Sequence, residues 1–283
     1  MREYKEQRIL RKVMYNPLIL FRNNIILFLL AAFVQCNNKV INEKQYDSKS
    51  YFSEKVKEIS KNFSLYYNYR YKNIKLSSEF NGIDSFFKPT DKISFFRLLL
   101  TGEFMPVKID SLPTYMLLKI PPHTDSSIIR DIKDYTEETL FYIGLRGKAI
   151  PKFNFKDING NLYSNASFDG KIVVIKCWYM ACVACVKEIP ELNKLVEQNK
   201  PYKDNIAFIS FAFDSKESLN YFLAKRRFNY LVFPDTKNYI SDSLHVHMYP
   251  THILLDKKGK IVTYVNDVHD LKLELEKLKA QVK

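Results

Sequence analysis

Two cysteines separated by two residues, Cys182 and Cys185, form the pattern in this sequence with the clearest chemical meaning. They follow the apolar run Ile172–Ile175 and open a segment with helical spacing. The start of a helix presents unpaired N–H groups and the positive end of the helix dipole, which favour a thiolate over a thiol. We therefore expect a two-electron redox switch in which Cys182 is the nucleophile and Cys185 resolves the mixed disulfide.

The same spacing also occurs as one half of a zinc site. Structural zinc needs four ligands, and the sequence contains no second C-x-x-C pair. Three histidines near Pro250, namely His245, His247 and His252, could approach the thiols, which keeps a copper- or zinc-binding metallochaperone open as an alternative. Loop and strand histidines with ordinary partners are the simpler interpretation, so we predict no metal site.

Around the cysteines, the sequence resembles the TlpA/ResA-like branch of the thioredoxin superfamily. The resemblance covers about half of the chain, roughly Gly147 to Lys283. It rests on a G-K-x-x-P-x-F motif, a tryptophan four residues before Cys182, a K-E-x-P-E-L run after Cys185, and Tyr-Pro-Thr at 249–251 before a strand. The resemblance implies a thioredoxin-like α/β fold, with a central mixed sheet flanked by helices.

A substrate groove is also implied by this resemblance. In the family, the proline that corresponds to Pro250 is cis and lies against the disulfide, so Tyr249 would offer its backbone to an extended substrate. We expect Trp178 and Thr251 to complete the groove, although a lone aromatic residue that ends a buried strand is more often part of the core. The cysteine disulfide itself would be the redox group, with no cofactor.

One departure from the family pattern is Lys176, which falls where thioredoxin keeps a buried acid on its central strand. A buried lysine is costly unless it is paired. Glu188 lies three residues beyond Cys185, matches the family's active-site glutamate, and is the natural partner. We hypothesise that Glu188 moves the proton of Cys185, while Lys176 holds Glu188 ionised or lowers a thiol pKa. The alternative is a solvated Glu188 and a Lys176 that extends to the rim.

Other departures concern the residues next to the cysteines. Ala184 stands where the family usually has proline, which should alter the reduction potential, and Ala181 replaces an aromatic residue, which opens the front of the site. Peroxiredoxins place a threonine three residues before their reactive cysteine, where Tyr179 stands here, and this argues against a peroxidase. Cys177 lies on the strand itself and is interpreted as an inert packed thiol.

The N-terminus carries an export pattern. Basic residues precede the apolar run Ile25–Val34, which is followed by Gln35 and Cys36. Residues 33–36 resemble a loose bacterial lipobox, in which Cys36 would be acylated, although Gln35 is a poor match. An uncleaved membrane anchor is the alternative. Either anchor would leave the protein on a membrane of the bacterial cell envelope, facing the periplasm or the exterior.

We divide the sequence into four parts. These are an export signal or lipoprotein-type anchor (1–36), a polar tether (37–50), a small α+β domain of unknown function (51–144) and a thioredoxin-like redox domain (145–283). In the α+β domain, the patterns predict a helix over Glu54–Phe63, a strand over Tyr66–Tyr71, a strand over Tyr115–Ile120, and a helix from Thr124 toward Phe141.

The redox domain has its own predicted elements. We expect a hairpin over Phe155–Leu162 that turns at Asn-Gly, two paired strands, Thr251–Leu255 and Lys260–Val265, and a last helix over His269–Gln281. Pro190 should kink the helix that follows the cysteines.

Together these patterns predict a membrane-tethered, exported thiol–disulfide oxidoreductase. As the resemblance implies, it would reduce disulfides of client proteins or act in cytochrome c maturation, and an upstream thiol-reducing donor in the membrane would re-reduce it. An interaction protein that uses the redox domain as a scaffold is the other alternative. The net charge of +13 is not concentrated in a dense basic tract, so we expect no nucleic-acid partner.

Overall fold

The computed structural model of the protein describes residues 51–109 and 113–281. The predicted export signal, the polar tether and Cys36 lie outside these residues. The chain divides into two compact units, with the boundary between Gly144 and Leu145. Within the described ranges, no helix combines the length and the apolar character that a membrane span requires.

The first unit combines helices with a four-stranded sheet. Its helices are α1 (residues 51–59), α2 (Phe63–Asn73), α3 (Lys92–Thr101) and α4 (Ser126–Leu145). Its strands are β1 (Asn81–Ile83), β2 (Pro89–Thr90), β3 (Phe104–Lys108) and β4 (Thr114–Lys119). The strand order is β2-β1-β4-β3, in which β1 and β4 are parallel and the other pairs antiparallel. The α+β class predicted for this region is confirmed.

One predicted strand of this unit is wrong, because Tyr66–Tyr71 lies inside helix α2. The side chain of Asn62 caps the helix by accepting a hydrogen bond from a backbone N–H of its first turn. Tyr66 donates to Asp131 at 2.9 Å, and Arg70 forms an ion pair with the same carboxylate at 2.7 Å. Tyr66 and Arg70, four residues apart on one side of the helix, therefore share a partly buried partner on α4, and this tertiary contact favours the helix.

The second unit is built on a five-stranded mixed sheet with the order β11-β10-β7-β8-β9. Its strands are β7 (Ile172–Trp178), β8 (Ile206–Ala212), β9 (Leu231–Phe233), β10 (Thr251–Leu255) and β11 (Ile261–Val265). Strands β7, β8 and β9 are parallel, whereas β10 is antiparallel to both β7 and β11. A separate hairpin pairs β5 (Asn154–Lys156) with β6 (Leu162–Ser164).

Helices flank this sheet, as the family resemblance implies. They are α5 (Val183–Lys187), α6 (Ile189–Gln198), α7 (Lys216–Lys225) and α8 (Val268–Gln281), with short helical turns at Asn165–Phe168, Lys200–Tyr202 and Tyr239–Ser243. The predicted thioredoxin-like fold is thus confirmed, and the strands and the last helix lie within one or two residues of their predicted bounds. The predicted hairpin forms with shorter strands.

Strand β7 is the centre of the unit, and all seven of its residues are buried. A strand covered on both faces needs an almost continuous apolar run, which its sequence supplies except at Lys176. Ile172 and Val174 belong to a core cluster that includes Leu192 and Leu195 of α6 and apolar side chains of α8. Because side chains alternate along a strand, Lys176 continues the face that α6 and α8 cover.

The helix after the cysteines is divided into two segments at Glu188. Glu188 is both the C-cap residue of α5 and the N-cap residue of α6. Pro190 therefore lies in the first turn of α6, where its missing N–H removes no helical hydrogen bond, rather than inside one kinked helix as predicted. This division places the Glu188 side chain at a joint between two helices.

Candidate active site

Cys182 and Cys185 form a disulfide at the start of α5. Cys182 is the cap residue of the helix, and its Sγ accepts a hydrogen bond from the backbone N–H of Cys185 at 3.2 Å. Cys182 is 7% exposed and Cys185 is fully buried. A client can therefore reach the sulfur of Cys182 first, and a helix start that donates to this sulfur favours its thiolate after reduction.

The Tyr249–Pro250 peptide bond is cis, as the resemblance implies. Pro250 is buried, whereas Tyr249 is partly exposed. Tyr249 packs against the apolar cluster that contains both cysteines of the redox pair, and its hydroxyl donates to the carbonyl oxygen of Val246 at 2.7 Å. The residue before the cis proline is thus held beside the redox pair.

Trp178 and Thr251 do not line an open groove, contrary to prediction, because both side chains are fully buried. The ring of Trp178 packs on Phe222, with 5.8 Å between the ring centroids. Thr251 lies on β10 between two neighbouring strands, and its hydroxyl donates to the carbonyl oxygen of Met248 at 2.7 Å. Both residues support the site from within the core.

Sequence reasoning missed an aromatic cluster made of Tyr179, Phe213 and Tyr249. The centroid distances are 5.2 Å between Tyr179 and Phe213, 5.3 Å between Tyr179 and Tyr249, and 5.2 Å between Phe213 and Tyr249. All three rings are partly exposed. Because β7 and β8 are parallel, the residues that follow them meet at one edge of the sheet, and only this pairing brings Phe213 to the site.

Lys176 and Glu188 form the buried ion pair that the sequence suggests. The distance from Lys176 Nζ to Glu188 Oε2 is 2.8 Å, and the lysine side chain is fully buried. The other carboxylate oxygen, Oε1, accepts a hydrogen bond from the backbone N–H of Val268, the first residue of α8, at 3.1 Å. A solvated Glu188 and a Lys176 that extends to the rim are therefore both excluded.

His252 is a third member of this group, which sequence reasoning considered only as a metal ligand or an ordinary histidine. Its Nε2 lies 3.1 Å from Glu188 Oε2, and its side chain is fully buried. In the pairing of β7 with β10, His252 lies directly opposite Lys176. Opposite residues project from the same sheet face, so both reach the same carboxylate. We call Lys176, Glu188 and His252 the buried charge cluster.

The burial of the cluster perturbs the pKa values of its members. Burial would raise the pKa of Glu188, but the charges of His252 and Lys176 and their hydrogen bonds outweigh it and lower this pKa to about 2. Burial lowers the pKa of Lys176 and the pKa of His252. These shifts favour the ionised form of Glu188, whereas burial favours the neutral forms of Lys176 and His252.

Two other predicted features concern thiols and metals. Cys177 is a free thiol in the core, and burial raises its pKa to about 12, in keeping with an inert packed side chain. His245 and His247 are exposed. Across residues 51–109 and 113–281, no three His, Cys, Asp or Glu side chains are grouped so that they could hold a metal ion.

The sequence of the second unit is similar to that of known proteins. The AhpC/TSA family model matches residues 146–264. The thioredoxin-like protein YneN of Bacillus subtilis is 32% identical over 127 residues, which cover 44% of this chain and 70% of YneN. The thiol-disulfide oxidoreductase ResA of Geobacillus kaustophilus is 25% identical over 148 residues, which cover 51% of this chain and 83% of ResA. A solved structure of a putative thioredoxin from Neisseria meningitidis is 26% identical, with a TM-score of 0.42. The match covers 46% of this chain and 89% of that protein.

Proposed function

Because the chain belongs, through its C-terminal half, to the ResA-like thiol–disulfide oxidoreductases of the thioredoxin superfamily, we propose that it is a membrane-tethered reductase of disulfides in exported client proteins. The observation that carries this proposal is the Cys182–Cys185 disulfide at a helix start, in which Cys182 is the more exposed residue. Apocytochromes that await haem attachment are one client class with the required disulfide chemistry.

The reaction starts from the reduced pair. The Cys182 thiolate attacks one sulfur of a client disulfide, which forms a mixed disulfide and releases the other client sulfur as a thiolate that takes a proton. Cys185 then loses its proton and attacks the sulfur of Cys182. The Cys182–Cys185 bond forms, and the second client sulfur leaves and is protonated. Two electrons and the proton of Cys185 pass from the protein to the client, and the second proton comes from solvent because Cys182 reacts as the thiolate. A donor dithiol in the membrane restores the pair.

Glu188 assists the second attack. It follows Cys185 by three residues, which places both side chains on the same side of the helical segment. The lowered pKa keeps Glu188 ionised, which is the form that can accept the proton of Cys185 and pass it on. Lys176 holds the carboxylate ionised for this step.

The reduction potential tests the redox proposal. The full chain is equilibrated with defined dithiol buffers, and its thiols are trapped and counted, with Cys36→Ser and Cys177→Ser present so that only the redox pair contributes thiols. A reversible two-electron couple well below about −200 mV supports a reductase, whereas a couple near about −120 mV indicates an oxidase. The absence of any reversible couple would refute the redox function, and Cys182→Ser serves as the matched inactive control.

The membrane tether has a separate test. We propose that Cys36 is acylated and becomes the mature N-terminus on the outer side of a bacterial cell-envelope membrane. Metabolic labelling with a radioactive fatty acid should mark the wild type but not Cys36→Ser, and the variant should retain its uncleaved N-terminus. A label that persists in Cys36→Ser would refute acylation at Cys36, and a membrane-bound wild type without label would favour the uncleaved anchor.

A further inference from the structure

His252 makes one polar contact that the redox chemistry described above does not use. Its side chain is fully buried, and its Nε2 lies 3.1 Å from the Glu188 carboxylate. Glu188 Oε2 is therefore shared by two side chains, Lys176 on β7 and His252 on β10. The joint between α5 and α6, two strands and the start of α8 all meet at this single carboxylate.

The proton on the imidazole can be assigned from its neighbour. An ionised carboxylate can only accept hydrogen bonds, so the nitrogen that faces Glu188, Nε2, must carry the hydrogen. Nδ1 is then a bare acceptor. It is buried and has no hydrogen-bond partner among the described residues. An unsatisfied buried polar atom lowers stability, so an apolar residue would suit this core position better if packing were its sole purpose.

We propose that His252 is a positioning residue of the redox reaction: it fixes the Glu188 carboxylate one helical turn beyond Cys185, and it takes up a proton at Nδ1 that changes the reactivity of the cysteine pair with pH. The inference rests on the proposed function, since it concerns the same pair of thiols. It adds to that function a residue and a pH response that the cysteines alone do not supply.

The charges around His252 set the direction of the response. Lys176 faces it from β7, Glu188 from the helix joint, and Asp267 from the turn before α8. Protonation of Nδ1 adds one positive charge to the buried charge cluster. Glu188, which His252 contacts, follows Cys185 by three residues, and an added positive charge on this segment favours a thiolate. Acidification should therefore raise the thiolate fraction of the pair above the value that a single thiol titration predicts.

The test measures the alkylation rate of Cys182 in the reduced full chain between about pH 4 and 9, a range that spans the ordinary pKa values of histidine and cysteine. Wild type should show two steps, one from a thiol and one from His252. In His252→Gln the amide nitrogen can still donate to Glu188 but cannot titrate, so the step from His252 should vanish while the neutral-pH rate is kept. His252→Leu should lose both the step and the neutral-pH rate.

A matched control is His269→Gln, which removes an exposed histidine of the same domain and should keep both steps. Two steps in His252→Gln, or one step in wild type, would overturn the inference. If His252→Gln does not fold, the imidazole nitrogen signals of the wild type decide by NMR. The inference is supported if Nε2 carries the hydrogen and Nδ1 does not at neutral pH, and if Nδ1 becomes protonated over the same pH range as the alkylation step. A protonated Nδ1 at neutral pH refutes it.

Failure of this inference can be told apart from failure of the proposed function. Thiol trapping of the wild type shows whether the Cys182–Cys185 pair cycles between disulfide and dithiol. A pair that does not cycle refutes the reductase itself. A pair that cycles normally, with a pH profile that His252→Gln leaves unchanged, refutes only the role of His252.

Discussion

Lys176 Nζ donates to Glu188 Oε2 across 2.8 Å in a region where the lysine is fully buried. The lysine cannot reach water, so its charge depends on this one carboxylate. The loss of one partner of a buried ion pair leaves an uncompensated charge in the core. The stability of the redox unit and the state of its active-site glutamate are consequently linked through one contact.

Glu188→Ala should lower the free energy of unfolding of the redox unit by about 3–5 kcal/mol, because it leaves Lys176 buried without a counter-charge. Urea unfolding monitored by the fluorescence of Trp178, the sole tryptophan of the chain, measures this unit. The matched control is Glu191→Ala, which removes a surface pair with Lys272 and should cost no more than about 1 kcal/mol. Equal losses in the two variants would show that burial of the pair has no energetic weight.

Stability should fall as the pH falls from about 6.5 to 2. The pKa of Glu188 is about 2 in the folded protein against an ordinary value of 4.5, so its contribution is complete above pH 4.5 and is lost as the pH approaches 2. This interval corresponds to about 3 kcal/mol. The lowered pKa of His252 also makes the folded state less stable as the pH falls below 6.5, because the unfolded chain then binds a proton that the buried imidazole does not. Unfolding free energies measured at several pH values should give a flatter curve for Glu188→Gln; an unchanged curve would contradict the assignment.

Cys177 should not react with alkylating reagents in the folded protein at pH 8. Its pKa of about 12 and its complete burial leave almost no accessible thiolate. Mass spectrometry after reduction and a brief pulse of iodoacetamide should find the label on Cys182 and not on Cys177, whereas both should be labelled in urea. Rapid labelling of Cys177 in the folded state would mean that the sheet opens there.

Tyr249→Ala should reduce kcat/KM for protein disulfides roughly tenfold, because the ring supports an aromatic surface beside the redox pair. A small disulfide does not need that surface, so its rate should change little. Tyr249→Phe keeps the ring and should stay close to wild type. Tyr221→Ala, which removes an exposed tyrosine of α7, is the control for a general effect of tyrosine loss. An equal fall for both substrates would place the effect in the chemistry rather than in client binding.

Local sequence patterns were sufficient for the redox pair and the central strand. Two thiols at helical spacing after a buried apolar run define their own geometry, because residues three apart lie on one side of a helix. The pairing of Lys176 with Glu188 was also predictable, since a buried lysine requires a carboxylate and Glu188 lies on the correct side of the same segment. The aromatic run Tyr66–Tyr71 was ambiguous, because its period fits a strand as well as a helix that packs on Asp131.

The sequence by itself determined the redox pair, because thiol spacing acts over a few neighbouring positions, and its resemblance to the thioredoxin superfamily implied the fold class. Only the tertiary structure decided what surrounds that chemistry. His252 is 64 positions from Glu188 and reaches it through the register of β10 against β7. Phe213 reaches Tyr179 through the parallel pairing of β8 with β7. Strand register is set by packing of the whole sheet, so no local pattern reveals such partners.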